Sequence, residues 1–205
     1  MVLEAVKERK EKEQKVEYLA LTLPNGGFTD DQFYEFCQLN DNLKIERNSK
    51  GKIIIMALTG GKTGNRNAEL NAEFVLWNRR KKNGFVFDSS TGFRIPSGAT
   101  YSPDLAWVTN ERWNTLTEEQ KEKFVPLCPD FVVELVSVSQ DVESLEDKIT
   151  EFIENGCRLA WLVDPYEKMT HVYRPKVAVE KIPFDQELHG GQVLEGFKIR
   201  LSDIF

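Results

Sequence analysis

Phe131-Val132-Val133-Glu134-Leu135-Val136 is apolar on both of its alternating faces, with Glu134 the one interruption. A half-solvated strand alternates polar with apolar side chains, so an unbroken run of this kind predicts a strand covered on both sides, in the middle of a sheet. Leu105-Ala106-Trp107-Val108 has the same character. Downstream, Asp141 to Asn155 carries Leu145, Ile149, Phe152 and Ile153 at helical spacing and ends at Gly156. Leu159 to Val163 then reads as a further strand, stopped by Asp164-Pro165. Upstream, Thr29 and Gln32 have capping-box spacing ahead of Phe33, Phe36 and Cys37, which predicts a short helix over 29–40. The turn Asn48-Ser49-Lys50-Gly51 leads into Ile53-Ile54-Ile55, a strand ending near Leu58. From Asn65 to about Lys82, Ala68, Ala72, Val75 and Leu76 recur at helical spacing, with Asn83-Gly84 as an αL cap. Phe85 to Asp88 and Thr91 to Ile95 flank Ser89-Ser90 and read as a hairpin. Met169 to Tyr173, Ala178 to Ile182 and Phe197 to Leu201 read as an antiparallel C-terminal appendage. This order of elements predicts an α/β (α+β) fold, a mixed central β-sheet flanked by helices.

The 205 residues, 40% of them hydrophobic, supply one full core, so residues 18–205 are expected to form a single domain. Residues 1–17, with five Lys/Arg against five Glu, read as a charged helix or tail. In the whole chain 27 Lys+Arg stand against 33 Asp+Glu, a net charge of −6, which excludes a globally basic nucleic-acid coat. Any nucleic-acid contact must therefore come from a local patch. The longest apolar run, Ile53 to Leu58, is six residues, against the roughly 20 needed to span a bilayer. Glu4, Lys7 and Glu8 interrupt any signal-peptide core, so a cytoplasmic location without a membrane partner is expected. Cys37, Cys128 and Cys157 form no Cys-x-x-Cys pair, and only His171 and His189 are present, which leaves little for thiolate zinc or serine-hydrolase chemistry.

The chemistry points elsewhere. Glu134 sits in a strand expected to be buried, where an unpartnered charge costs several kcal/mol. Pro103-Asp104 opens the preceding apolar strand and places a second carboxylate at the mouth of a buried strand. Two carboxylates on neighbouring strands make a hard-oxygen site suited to Mg²⁺ or Mn²⁺. Lys148 falls at the margin of the inward stripe of the following helix, where an ammonium can orient an attacking water or offset charge on a phosphate oxygen.

Pro103-Asp104, the Glu134 strand, Lys148, Asn155-Gly156 and Ala160-Trp161-Leu162-Val163-Asp164-Pro165 together resemble the Uma-two family of restriction endonucleases, within the PD-(D/E)XK nuclease superfamily. The resemblance runs from about Phe28 to the C-terminus and includes Gly60 to Glu69 and Asp88 to Phe93. It implies a restriction-endonuclease-like core in which Asp104 and Glu134, helped by the carbonyl of Leu135, bind the metal. The lysine that the superfamily places two residues after the acid is Val136 here, and the resemblance makes Lys148 its replacement. Many members carry a His in the region that reads Thr63-Gly64-Asn65-Arg66. Glu69 resembles the acid that many members place beside the metal, and Glu73 lies one turn on. The activity implied is hydrolysis of DNA, with DNA as partner and a homodimer supplying two sites for two strands.

Taken singly, each residue has an ordinary account: a salt bridge for Glu134, a turn for Asp104, solvent for Lys148 and Glu69. An inactive nuclease-fold module for DNA binding or assembly therefore stays open beside the enzyme. A nucleotide-binding loop at Gly60-Gly61-Lys62-Thr63 fails on spacing, because Met56 stands where its first Gly is required. Six Lys/Arg between 62 and 82 against Glu69 and Glu73 leave +4 there, either a solvated helix end or a phosphate grip. Asp164 reads as an Asx-type turn, and Trp77, Trp107, Trp113 and Trp161 as packing.

Overall fold

The computed structural model describes residues 18–23, 27–138 and 141–205, so the expected charged tail 1–17 lies outside the described residues. In chain order the elements are β1 (Tyr18–Leu21), α1 (Asp30–Leu39), β2 (Lys44–Arg47), β3 (Ile53–Met56), α2 (Gly61–Lys81), β4 (Gly84–Asp88), β5 (Phe93–Arg94), β6 (Thr100–Tyr101) and β7 (Leu105–Thr109). They continue with α3 (Asn110–Trp113), α4 (Glu118–Glu122), β8 (Phe131–Leu135), α5 (Val142–Glu154), β9 (Leu159–Asp164), β10 (Met169–Arg174), β11 (Val177–Pro183), β12 (Glu187–His189) and β13 (Lys198–Arg200), ending in the 3₁₀ turn Leu201–Asp203.

A six-stranded sheet in the order β11-β10-β9-β8-β7-β4 forms the centre. Its β8/β9 pair is parallel and crossed over by α5, while the other pairs are antiparallel. The unbroken apolar runs occupy its interior strands because both faces are covered. Phe131, Val133, Leu135 and Trp161 pack toward Leu70, Phe74 and Trp77 of α2. Val132, Val136, Ala160 and Leu162 pack toward Leu145, Ile149 and Phe152 of α5 and toward Phe93 and Tyr101 of a second sheet, ordered β1-β3-β2-β6-β5. Glu134 falls by alternation on this second face. The capping box read from sequence at Thr29/Gln32 is present on α1, and the Asp141 side chain accepts the Ser144 N–H at the start of α5.

Several expectations change. The helix expected from Asn65 begins at Gly61, and its buried stripe is Thr63, Leu70, Phe74 and Trp77. Ala68, Ala72 and Leu76 are exposed and Val75 is half-buried, because the bulky side chains gain more from burial than alanines do. The αL cap is Lys82, at φ 56°, while Gly84 lies in β4. There a Cβ would collide with the Val108 carbonyl and the Trp107 indole, so Gly84 serves close approach between strands. The hairpin expected about Ser89-Ser90 does not form: β4 pairs with β7 in the central sheet, and β5 pairs with β6 in the second. Finally, β10 and β11 are antiparallel as expected but extend the central sheet, while β13 pairs with β12. Phe197 joins the α2 face of the core, stacked at 4.1 Å on Phe74.

Lys82→Gly should raise the urea midpoint by relieving about 1 kcal/mol of αL strain. Gly84→Ala should lower it through overpacking worth about 1–3 kcal/mol. Equal effects of the two substitutions would contradict this division of roles.

Candidate active site

Asp104 follows Pro103 at the mouth of β7, which runs antiparallel to β8 with Leu105 opposite Val133. Its Oδ2 accepts the Leu135 N–H at 2.8 Å, and its Oδ1 accepts Asn67 Nδ2 of α2 at 3.1 Å. Asn71, one turn along α2, reaches the Asp104 carbonyl at 3.4 Å. Continuing the β7/β8 register places Pro103 opposite Leu135, and proline has no N–H to give the Leu135 carbonyl. A strand residue points its N–H and C=O to the same side, so that carbonyl faces the side on which Asp104 lies.

Glu134 is 3% exposed. Lys148 Nζ of α5 lies 2.8 Å from Glu134 Oε1 and donates to Glu46 Oε1 of β2 at 2.9 Å. Its approach to Glu134 is an ion contact rather than an aligned hydrogen bond, so Oε1 is buried without a directed donor. Glu46 Oε1 also accepts the Ser102 N–H at 2.8 Å. The Tyr101 ring lies 5.3 Å from Nζ, fixed through its hydroxyl to Glu151 Oε2 at 2.7 Å. Two carboxylates, Glu134 and Glu46, thus share one ammonium, and Asp104 adds a third negative group near Glu134. Burial, with Asp104 and Glu46 adding to it against the pull of Lys148, pushes the Glu134 carboxyl from 4.5 to about 7. Burial works against the Lys148 charge as well, but Glu134 and Glu46 outweigh it and hold the ammonium protonated.

This cluster floors a hollow of about 680 Å³ whose lining includes Glu46, Thr63, Asn67, Asp104, Leu135 and Lys148, with Glu134 beneath. Lys148 therefore faces the acid from the next helix, and Val136, fully buried, is part of the core. Glu69 is exposed and does not line the hollow, nor does half-buried Glu73. At 100° per residue Glu69 stands about 200° around the helix from Asn67. The acid that meets Lys148 from another element is Glu46, which the sequence reading passed over. Its signal was faint: a carboxylate in Lys44-Ile45-Glu46-Arg47, directly before the turn that leads to Ile53-Ile54-Ile55. Thr63 is buried and Asn67 half-buried on the α2 face toward Asp104, near the start of the helix, where this chain has no His. Asp164 accepts the Tyr166 and Glu167 N–H groups, the turn expected of it. Trp77, Trp107 and Trp161 are buried, and Trp113 packs on Phe85 and Phe87.

The oxygen donors suited to a hard divalent cation are Asp104, Glu134 and the Leu135 carbonyl. Among the described residues no group of three or more His, Cys, Asp or Glu is placed to hold a metal ion. Two carboxylates and a backbone carbonyl are all oxygen donors, the donor type that Mg²⁺ takes. No described helix is long and apolar enough to cross a membrane.

No curated protein matches the sequence. Among solved structures, one described as a "putative nuclease belonging to DUF820" from Anabaena variabilis superposes with a TM-score of 0.71 at 20% identity, covering 87% of this chain and 97% of that one. At that identity the likeness speaks for the fold, which is thus shared with a nuclease-like protein. The profile of the Uma2 family, described as "Putative restriction endonuclease", matches residues 30–202, more than half of the chain. The chain belongs to the Uma2 family of restriction-endonuclease-like proteins.

Proposed function

We propose that this chain hydrolyses phosphodiester bonds in DNA with Mg²⁺ or Mn²⁺ held by Asp104, Glu134 and the Leu135 carbonyl. What supports the reading is the ion contact of Lys148 with Glu134, 14 positions apart in sequence, beside an Asp104 aligned by the Leu135 N–H. When bound, the cation supplies Lewis-acid polarisation of the scissile phosphate and lowers the pKa of the attacking water. The surplus of carboxylates over ammonium gives the site the negative charge a cation needs, and the unaligned buried Glu134 oxygen is a ready ligand. Asp104 is preorganised by Leu135 and Asn67. Lys148 has three N–H donors, of which Glu46 takes one, while Glu134 meets the ammonium as an ion contact; this leaves donor capacity for a phosphate oxygen or the water. Glu46 would act as a positioning residue, its contact with Lys148 keeping the ammonium in place were Glu134 to ligate the metal. Cutting both strands takes two such sites, which a homodimer provides.

Plasmid nicking in Mg²⁺ or Mn²⁺ tests the reading. Wild type should cleave, while Asp104→Ala and Lys148→Met should each lose about 10²-fold or more. Equal cleavage by Asp104→Ala would discard the site. No cleavage and no Mn²⁺ binding by any form would instead make the protein an inactive nuclease-fold module for DNA binding or assembly.

A second measurement reads the buried acid in chelator. The folded state binds the Glu134 proton more tightly than the unfolded chain, because its pKa is raised from 4.5 to about 7. Its contribution to stability is therefore full below about pH 4.5 and is lost as pH rises through about 7. Glu134→Gln removes that dependence, so the Tm of the variant relative to wild type should rise between pH 5 and pH 8. An unchanged difference would contradict the raised pKa.

A further inference from the structure

Resting on the nuclease reading, we infer that the β2–β3 hairpin grips the sugar–phosphate backbone of the DNA through Lys44, Lys50 and Lys52. All three lysines line the hollow above Asp104 and Lys148. The register Lys44 with Met56 and Glu46 with Ile54, continued by the Asn48 N–H to the Lys52 carbonyl, puts Lys44, Glu46 and Lys52 on one face. On that face Lys44 and Lys52 flank Glu46, each about two residues or ~7 Å away along the strands. That is about two nucleotide steps on either side of the floor, at 3.4 Å per step of each strand. None of the three ammonium groups has an acidic side-chain partner among the described residues. In a chain of net charge −6 these three unpaired ammonium groups line the hollow that contains the acidic cluster.

The hairpin tip is also built to hold its shape. Asn48 Oδ1 accepts the Lys50 and Lys52 N–H groups, and the Asn48 carbonyl accepts the Gly51 N–H, with Gly51 at φ 75°. Such a tip presents its cations without first losing conformational freedom. The lining from α5 and its cap carries Asp141, Asp147 and Glu151, which repel phosphate and leave the hairpin side as the track.

The rival basic cluster, Arg79 to Lys82, is badly placed. Asn67 marks the site on α2, and Arg79 lies twelve residues further along, ~18 Å at 1.5 Å per residue. Lys81 is already paired with Glu195 at 3.6 Å, and the cluster complements the helix C-terminus where it stands. For Arg79 to Lys82, at the far end of the 62–82 stretch from the hollow, the solvated helix end is therefore the better account.

The test compares two triple variants, Lys44→Ala/Lys50→Ala/Lys52→Ala and Arg79→Ala/Arg80→Ala/Lys82→Ala. Binding of a fluorescein-labelled duplex is followed by anisotropy in Ca²⁺ across a salt series, with Mn²⁺ affinity measured alongside to show the floor of the hollow intact. The hairpin variant should bind at least about tenfold more weakly, and its log–log salt slope should shrink by about two to three, one for each phosphate that a lysine no longer neutralises. The helix variant should stay within about twofold of wild type. If wild type binds and cuts DNA while the hairpin variant binds equally well, or if the helix variant is the one that binds weakly, the hairpin assignment is wrong and the nuclease reading stands. If wild type neither binds nor cuts, both fall together.

Discussion

One ammonium group, that of Lys148, lies between two buried carboxylates from different sheets. Glu134 comes from the central sheet and Glu46 from the second, and α5 carries the lysine to both. Removing one partner of such a buried pair typically costs about 3–5 kcal/mol, because the charge left behind has no water to turn to. The second sheet, the central sheet and the crossover helix are thus tied at a single atom, which is also the floor of the hollow. The remaining charge at that floor is negative, with three carboxylates to one ammonium. An apolar repacking of the same volume would be no less stable. Under the proposed reading, the surplus charge serves to hold a cation.

Glu46 is kept at this junction by its neighbour. Arg47 points to the opposite face of β2, where it pairs with Asp30, donates to the Phe28 and Gly98 carbonyls at 3.0 and 2.9 Å, and lies 4.9 Å over the Phe33 ring. Two consecutive charged residues are buried because the strand sends them in opposite directions, each to its own partners. The helix α1, whose capping box is plain in the sequence, is therefore what anchors β2 from behind. On the far side of the central sheet, Phe74 stacks at 5.1 Å on Phe131 and fixes α2 so that Asn67 reaches Asp104.

The parts of this arrangement that were legible in sequence are those governed by local chemistry. The unbroken apolar run of β8, the Thr29/Gln32 capping box, and the Asp164 turn each declare themselves within a few residues. Asp104, Glu134 and Lys148 stood out because each is a charge beside apolar residues, and family resemblance joined them. Glu46 did not, since its burial depends on Lys148, 102 residues away, and a segment reading Lys-Ile-Glu-Arg gives no hint of a covered face. The α2 face was misread because alanines recur at helical spacing on its solvent side, while Thr63, Asn67, Leu70, Phe74 and Trp77 follow the same spacing inward. Glu69 went with the wrong face. The Ser89-Ser90 hairpin failed for a similar reason: whether two adjacent strands pair with one another or each joins a different sheet is decided by packing beyond the turn.

The most direct measurement is anomalous diffraction from crystals of the wild-type protein grown with Mn²⁺. The account predicts a peak within coordination distance of Asp104, Glu134 and the Leu135 carbonyl, with Lys148 still on Glu46. A Mn²⁺ ion bound elsewhere, or a floor that remains closed by the Lys148–Glu134 contact at saturating metal, would contradict it.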